Sequence, residues 1–143
     1  MTREKSDALI DRIEEHFAEH GYGLWALEVE GRLLGFTGLS WATWEAEFTP
    51  AVEVGWRLAR FAWGRGYASE AATAALLRGF QDVDSIVSFT AMSNEPSKRV
   101  MQRIGLRHVY DFDHPQLPDQ HPLQRHVLYR ADRGTWQPRP RLS

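Results

Sequence analysis

The chain has 143 residues, a formal net charge of -2 and no cysteine. That is length enough for one domain with a real core, and 43% hydrophobic with 25% charged residues reads as globular. Disulfides, thiolate metal sites and a cysteine nucleophile are excluded, no whole-chain field recruits nucleic acid or an anionic membrane, and no apolar run spans a bilayer. The polar start Met1-Thr2-Arg3-Glu4-Lys5 argues against a secretory signal, so a cytoplasmic setting is the simplest expectation.

The first element expected is a helix over Arg3 to His20. Leu9, Ile10, Ile13 and Phe17 form its apolar stripe, with Thr2 as N-cap and Gly21 as stop. His16 and His20 stand one turn apart without a third ligand nearby and read as a solvated pair. Tyr22 to Glu30 and Leu33 to Ser40 read as a hairpin turning at Glu30-Gly31-Arg32. Trp41, Trp44 and Phe48 follow in a loop ending at Pro50, where they either line a ligand cleft or cap the core. In the strand Ala51 to Ala59, alternation puts Val52, Val54, Trp56 and Leu58 on one face and Glu53, Gly55 and Arg57 on the other. Gly55 inside it suggests a bulge or a close approach by backbone or ligand.

That strand runs into Trp63-Gly64-Arg65-Gly66-Tyr67-Ala68-Ser69-Glu70-Ala71 and then an alanine-rich helix able to lie close to a sheet. Strand, glycine turn and helix in that order suit an anion, because glycine admits close backbone approach and the first helical N–H groups are unpaired. Arg57, Arg60 and Arg65 lie beside the turn. The Gly-Lys-Ser/Thr of a P-loop and the third glycine of a dinucleotide fold are both absent. After a turn at Asp82-Val83-Asp84, Ser85 to Ala91 reads as a strand. Asn94 caps a helix with Pro96 in its first turn, Val100, Met101 and Ile104 on its apolar face, and Gly105 at its end. Leu106 to Phe112 and Arg125 to Ala131 complete the strands, around a proline-rich loop from Asp113 to Pro122. His114, His121 and His126 match no metal motif, and no metal is expected. A mixed sheet with helices on both faces follows, with a right-handed parallel unit from Val52 to Ala91. Residues 1–132 are expected to form one domain and 133–143 an Arg/Pro-rich tail, loosely held from Gly134.

Val52-Glu53-Val54-Gly55-Trp56-Arg57-Leu58, Trp63-Gly64-Arg65-Gly66-Tyr67-Ala68 and Ser93-Asn94-Glu95-Pro96-Ser97 with Val100 and Ile104-Gly105-Leu106 together resemble the GNAT superfamily of acetyl-CoA-dependent N-acetyltransferases. The nearest branch is that of the ribosomal-protein-alanine acetyltransferases. The resemblance, over about Arg3 to Arg130, implies an α/β (α+β) fold: a mixed, mostly antiparallel central sheet, helices on both faces and a splayed parallel strand pair. It implies acetyl-CoA as co-substrate, its pantetheine arm pairing with Val54, Gly55 and Trp56, and its pyrophosphate on the amides from Trp63 or Gly64 through Gly66 and Tyr67 to Ala68. Arg60 and Arg65 are implied phosphate contacts, and Lys98 and Arg99 implied nucleotide contacts; for each, a purely solubilising role is the alternative.

The implied reaction is direct attack of a primary amine on the thioester in a ternary complex. Glu53 is the base expected from it, directly or through water, unless it is an exposed carboxylate paired with an arginine. A backbone N–H of Val54-Gly55-Trp56 is the expected oxyanion donor. Many superfamily members place a tyrosine where this chain has Met101, so the resemblance moves thiol hydrogen bonding to Ser97 and cofactor or acceptor hydrogen bonding to Asn94. Each also has a local role open to it: Asn94 as N-cap, Ser97 as a first-turn serine. Phe61 stands where the family has Gln or Arg, which shifts phosphate binding towards Arg60. The implied acceptor is a small-molecule amine or a protein N-terminus; the alternative is a non-catalytic acyl-CoA-binding or sensor module. A strand and a helix usual in the family are expected to be missing before Arg3, leaving Tyr22–Glu30 as an open apolar edge that a second copy covers in a homodimer.

Overall fold

The computed structural model describes residues 23–44 and 46–137. The helix expected over residues 3–20, the His16 and His20 pair and the last residues of the tail lie outside them. Strands β1 (Leu24–Val29) and β2 (Arg32–Ala42) form a hairpin through Glu30 and Gly31, both at positive φ as a two-residue hairpin turn requires. β3 (Ala51–Leu58) leads through a short 3-10 turn at Arg60–Ala62 into helix α1 (Tyr67–Gly79). β4 (Ser85–Ala91), α2 (Glu95–Arg103), β5 (Arg107–Asp113) and β6 (Arg125–Asp132) follow. The six strands form one sheet in the order β1-β2-β3-β4-β6-β5, antiparallel throughout except at β3–β4. This is the expected mixed, mostly antiparallel sheet with one parallel pair.

Alternation along the strands sorts the side chains. Leu39, Val52, Val54, Ile86, Val127, Tyr129 and Ala131 share one face and form the main core. α1 sets Ala72, Ala75, Leu76 and Gly79 against it. Small residues let it sit close: a Cβ on Gly79 would lie 2.6 Å from Ile86 Cδ1. α2 adds Met101, and Ile104 at its C-cap, to the same core, so both described helices cover one face.

The other face carries a second apolar layer. Phe89, Phe112 and His126 from the sheet meet Trp44, Phe48 and His114 from the loops. Trp44 and Phe48 thus pack onto this layer, while Trp41 packs against the main core. His114 and His126 are buried, and burial pushes both imidazoles below their ordinary value. His114 Nδ1 accepts from the Gln116 N–H at 3.1 Å and His126 Nδ1 lies 3.1 Å from the Gln124 carbonyl. Among the described residues no group of three or more His, Asp or Glu is placed to hold a metal ion.

Two local expectations are revised. The β2–β3 register is unbroken from Gly35↔Leu58 to Ala42↔Ala51, so Gly55 marks no bulge. The segment after residue 132 also begins docked. Arg133 bonds the Phe80 carbonyl and the Asp84 carboxylate, and the Trp136 indole donates to the Ile104 carbonyl at 2.8 Å while packing on Phe80.

Candidate active site

The parallel ladder between β3 and β4 is short. Only Val52↔Ile86 and Glu53↔Val87 are in register, and past them the strands part. The Ser88 hydroxyl closes the fork by donating to the Val54 carbonyl at 2.9 Å. In an antiparallel pair, backbone groups alternate between the partner strand and the outside. The Ala59 N–H donates to the Leu34 carbonyl, so residues in phase with Ala59, including Gly55, turn their backbone to β2. Val54, Trp56 and Leu58 therefore turn theirs towards β4. Ser88 takes the Val54 carbonyl and the Trp63 indole takes that of Leu58 at 3.1 Å. Trp56 lies between them, and its N–H and C=O face the opening.

At the end of that opening a cleft of about 350 Å³ lies between the start of α1 and one face of α2. Gly64 and Gly66 both have φ of 79°, which an L side chain rarely adopts, and a Cβ on either would meet nothing within 4 Å. Gly66 is the N-cap of α1 and no side chain caps the turn. The glycines thus leave open space around the first amides of a 13-residue helix, where a phosphate is best held.

Of the residues expected at the site, Trp56, Gly64, Gly66, Tyr67, Ala68, Asn94 and Ser97 line this cleft together. Val54 is wholly buried in the core and meets the site only through its backbone. Arg60, Arg65 and Lys98 are not in the cleft wall. The Arg60 guanidinium lies 5.6 Å from the Trp63 ring centre, Arg65 is exposed, and Lys98 is bound to Glu95 at 2.7 Å. Arg57 and Arg99 do line it, and so does Arg103, which sequence reasoning passed over. Its four-residue step from Arg99 was the available signal. Asn94 Oδ1 accepts from the Ser97 N–H at 3.2 Å as the cap of α2, which leaves the Asn94 amide NH₂ as a donor. Met101 is fully buried, and its neighbour Val100 faces the cleft instead.

Glu53 and Gly55 sit on the opposite sheet face, beside the fork. A Cβ on Gly55 would lie 3.4 Å from Glu53 Oε1, so the carboxyl lies directly over the glycine. Burial pushes that carboxyl from 4.5 up to about 7. No described group forms an ion pair or hydrogen bond with it, and no buried side-chain oxygen is left without a partner, so its oxygens still touch solvent. The exposed, arginine-paired alternative does not hold. A second cavity of about 470 Å³ lies at the start of β3 and β4, with Glu47, Phe48, Val87, Tyr110 and Arg130 in its wall.

A family model described as "Acetyltransferase (GNAT) domain" matches residues 1–107. The uncharacterized protein YkkB of Bacillus subtilis (strain 168) is 35% identical over 96 residues, which cover 63% of this chain and 55% of that protein. The chain thus spans about half the length of that relative. Among solved structures, a putative GnaT-family acetyltransferase from Bordetella pertussis superposes with a TM-score of 0.75 at 24% identity, covering 91% of this chain and 77% of that one. A ribosomal-protein-alanine N-acetyltransferase from Brucella melitensis gives 0.72 at 13% identity, over 87% and 77% of the two chains. Mycobacterium smegmatis RimJ, in complex with CoA-disulfide, gives 0.68 at 18% identity, over 90% and 61%. The family model covers most of the sequence, fork and glycine turn included, and the chain belongs to the GNAT family of acetyltransferases, whose co-substrate is acetyl-CoA.

Proposed function

We propose that this chain is an N-acetyltransferase that moves an acetyl group from acetyl-CoA to a primary amine by direct attack in a ternary complex. The observation that carries the reading is Glu53, a carboxyl raised to about 7 by burial, without a cationic partner, beside the fork of β3 and β4. An alkylammonium must lose a proton before it attacks a thioester, and a base with a pKa near neutrality is best matched to that task. Glu53 takes the proton directly or through a water at its solvent-touching oxygens. The Trp56 N–H donates to the carbonyl oxygen as charge builds there. As the amine nitrogen bonds to the carbonyl carbon and the C–S bond breaks, the Ser97 hydroxyl donates to the leaving sulfur. The Asn94 NH₂ hydrogen-bonds the co-substrate or the acceptor. The amides from Gly64 to Ala68 hold the pyrophosphate, and Arg60 and Arg65 add charge from outside the cleft. Lys98 contributes only on leaving Glu95.

The acceptor is a small-molecule amine or a protein N-terminus; the second is included because Asn94 and Ser97 follow the ribosomal-protein-alanine pattern. Thiol release across a panel of amines and one N-terminal peptide tests the reading, with wild type and Glu53→Gln compared from pH 5.5 to 9. The expected result is turnover that rises with pH through about 7 in the wild type, and at least a roughly tenfold loss with that limb changed in the variant. Full activity with an unaltered profile removes Glu53 from the mechanism. A wild type that binds acetyl-CoA yet releases no thiol with any amine supports the second reading, a non-catalytic acyl-CoA-binding module, which the burial of Met101 at the usual tyrosine position favours. Among the described residues β1 pairs only with β2, which supports a homodimer joined along that edge; light scattering at micromolar concentration tests it.

A further inference from the structure

The cleft holds more positive charge than one pyrophosphate uses. Among the described residues its walls carry Arg57, Arg99 and Arg103 and no acidic side chain. Pro96, Arg99, Val100 and Arg103 recur at three- and four-residue steps, so one face of α2 forms the wall opposite the glycine turn. Arg99 and Arg103 stand one turn apart, and like charges at that spacing disfavour a helix. The one acidic residue of α2, Glu95, is engaged by Lys98 at 2.7 Å. Neither arginine has an ion pair or hydrogen bond among the described residues. Two guanidinium groups thus share a wall of the cleft without an ion pair of their own; Glu95, held by Lys98, acts on Arg99 only at longer range.

Coenzyme A carries two separate anionic centres, the pyrophosphate and the 3′-phosphate of its adenosine. The first belongs at the start of α1, where backbone amides and glycines give it room. Resting on the reading that this cleft takes acetyl-CoA, we propose that Arg99 and Arg103 bind the 3′-phosphate, so that the protein selects 3′-phosphorylated coenzyme A over the dephospho form. A phosphate monoester is close to dianionic at neutral pH, and guanidinium forks bind such a group with paired, charge-assisted hydrogen bonds. Arg57, from β3, adds to the same field.

Calorimetry with acetyl-CoA and acetyl-dephospho-CoA tests this on the full chain, in wild type, Arg99→Gln, Arg103→Gln and the double variant. Wild type should bind acetyl-CoA at least tenfold more tightly than the dephospho form. Each variant should lose affinity for acetyl-CoA and little for the dephospho form, bringing the ratio in the double variant close to one. An unchanged thermal midpoint in each variant shows that the fold is kept; Arg→Lys variants, which keep charge without the fork, should recover part of the ratio. A wild-type ratio near one overturns the proposal and leaves the cofactor reading standing. An equal loss for both ligands in the variants also overturns it, since a diffuse field would act on the pyrophosphate alike. Failure of the wild type to bind either ligand strikes the cofactor reading itself and this proposal with it.

Discussion

Replacing Glu53 with glutamine should change how stability depends on pH. Burial raises the carboxyl from 4.5 to about 7. Between those values the folded chain binds more protons at this position than the unfolded chain. The sign is therefore opposite to that of a salt-bridged carboxylate: stability is fullest below about 4.5, falls as pH rises, and levels off above about 7. The gap corresponds to about 3 kcal/mol, and the solvent contact left to the oxygens brings the expectation to roughly 2 kcal/mol. His114 and His126 act the other way. Their folded values lie below 6.5, so their contribution is complete above it and is lost as pH falls. The raw curve mixes both slopes, and the difference between wild type and Glu53→Gln isolates the carboxyl. Urea unfolding at pH 5, 6, 7 and 8 provides the measurement. The variant should gain on the wild type by about 1.5 kcal/mol over that range, most of it below pH 7, the remainder of the change lying below pH 5. Two parallel curves would show that the carboxyl is as well solvated folded as unfolded, and would remove the basis for a base near neutrality.

Three further outcomes are expected. Gly66→Glu places a side chain and a negative charge over the first amides of α1, and calorimetry should show acetyl-CoA affinity reduced by at least about 100-fold; the added Cβ meets nothing within 4 Å, but the φ of 79° strains it by about 1 kcal/mol, so a urea melt accompanies the titration to show that the variant is folded. Gly35→Ala puts a Cβ 2.0 Å from the Arg57 carbonyl oxygen at a φ of +150°, so it should cost on the order of 3 kcal/mol in urea melts; a loss under about 1 kcal/mol would mean that β2 and β3 can move apart there. Ser88→Ala leaves the Val54 carbonyl without its clasp and should cost about 1–2 kcal/mol by the same assay, with faster amide exchange at Trp56 as the fork loosens.

Much of this architecture is local in origin, and such parts were legible in the sequence. β4 occupies Ser85–Ala91 as its apolar run and flanking turns suggest, and Asn94 caps α2 because an Asx side chain reaches the third following amide from that position. The strand, glycine turn and α1 follow from alternating apolar residues, from glycines that tolerate a φ of 79°, and from an alanine-rich run of helix formers. What was not legible depends on residues distant in the chain. Ser88 looks like any strand serine until β3 is laid 34 positions away, with its carbonyl in reach. Trp136 reads as part of a loose end because Phe80 and Ile104, which hold it, belong to two different helix ends. Alternation placed Glu53 on its face but could not report its desolvation, which comes from the surrounding packing. Charge counting near the glycines favoured Arg60 and Arg65; helix phase, not proximity in sequence, brings Arg99 and Arg103 to the cleft.

The strand order has a consequence for how the molecule assembles. β6, the most C-terminal of the described strands, lies between β4 and β5. During synthesis the β1–β2–β3 meander can form from consecutive segments, but β4 has no antiparallel neighbour until residues 125–132 emerge. β5 is made before β6, yet among the described residues it joins the sheet only through it. Until then α2 and its arginines hang from a half-built sheet, with the aromatic layer of Phe89 and Phe112 open to water. The glycine turn from Gly64 to Ala68, by contrast, is encoded wholly before β4. The part proposed to hold the pyrophosphate can therefore take shape first on the ribosome, and the wall that completes the cleft waits for the strand that arrives last.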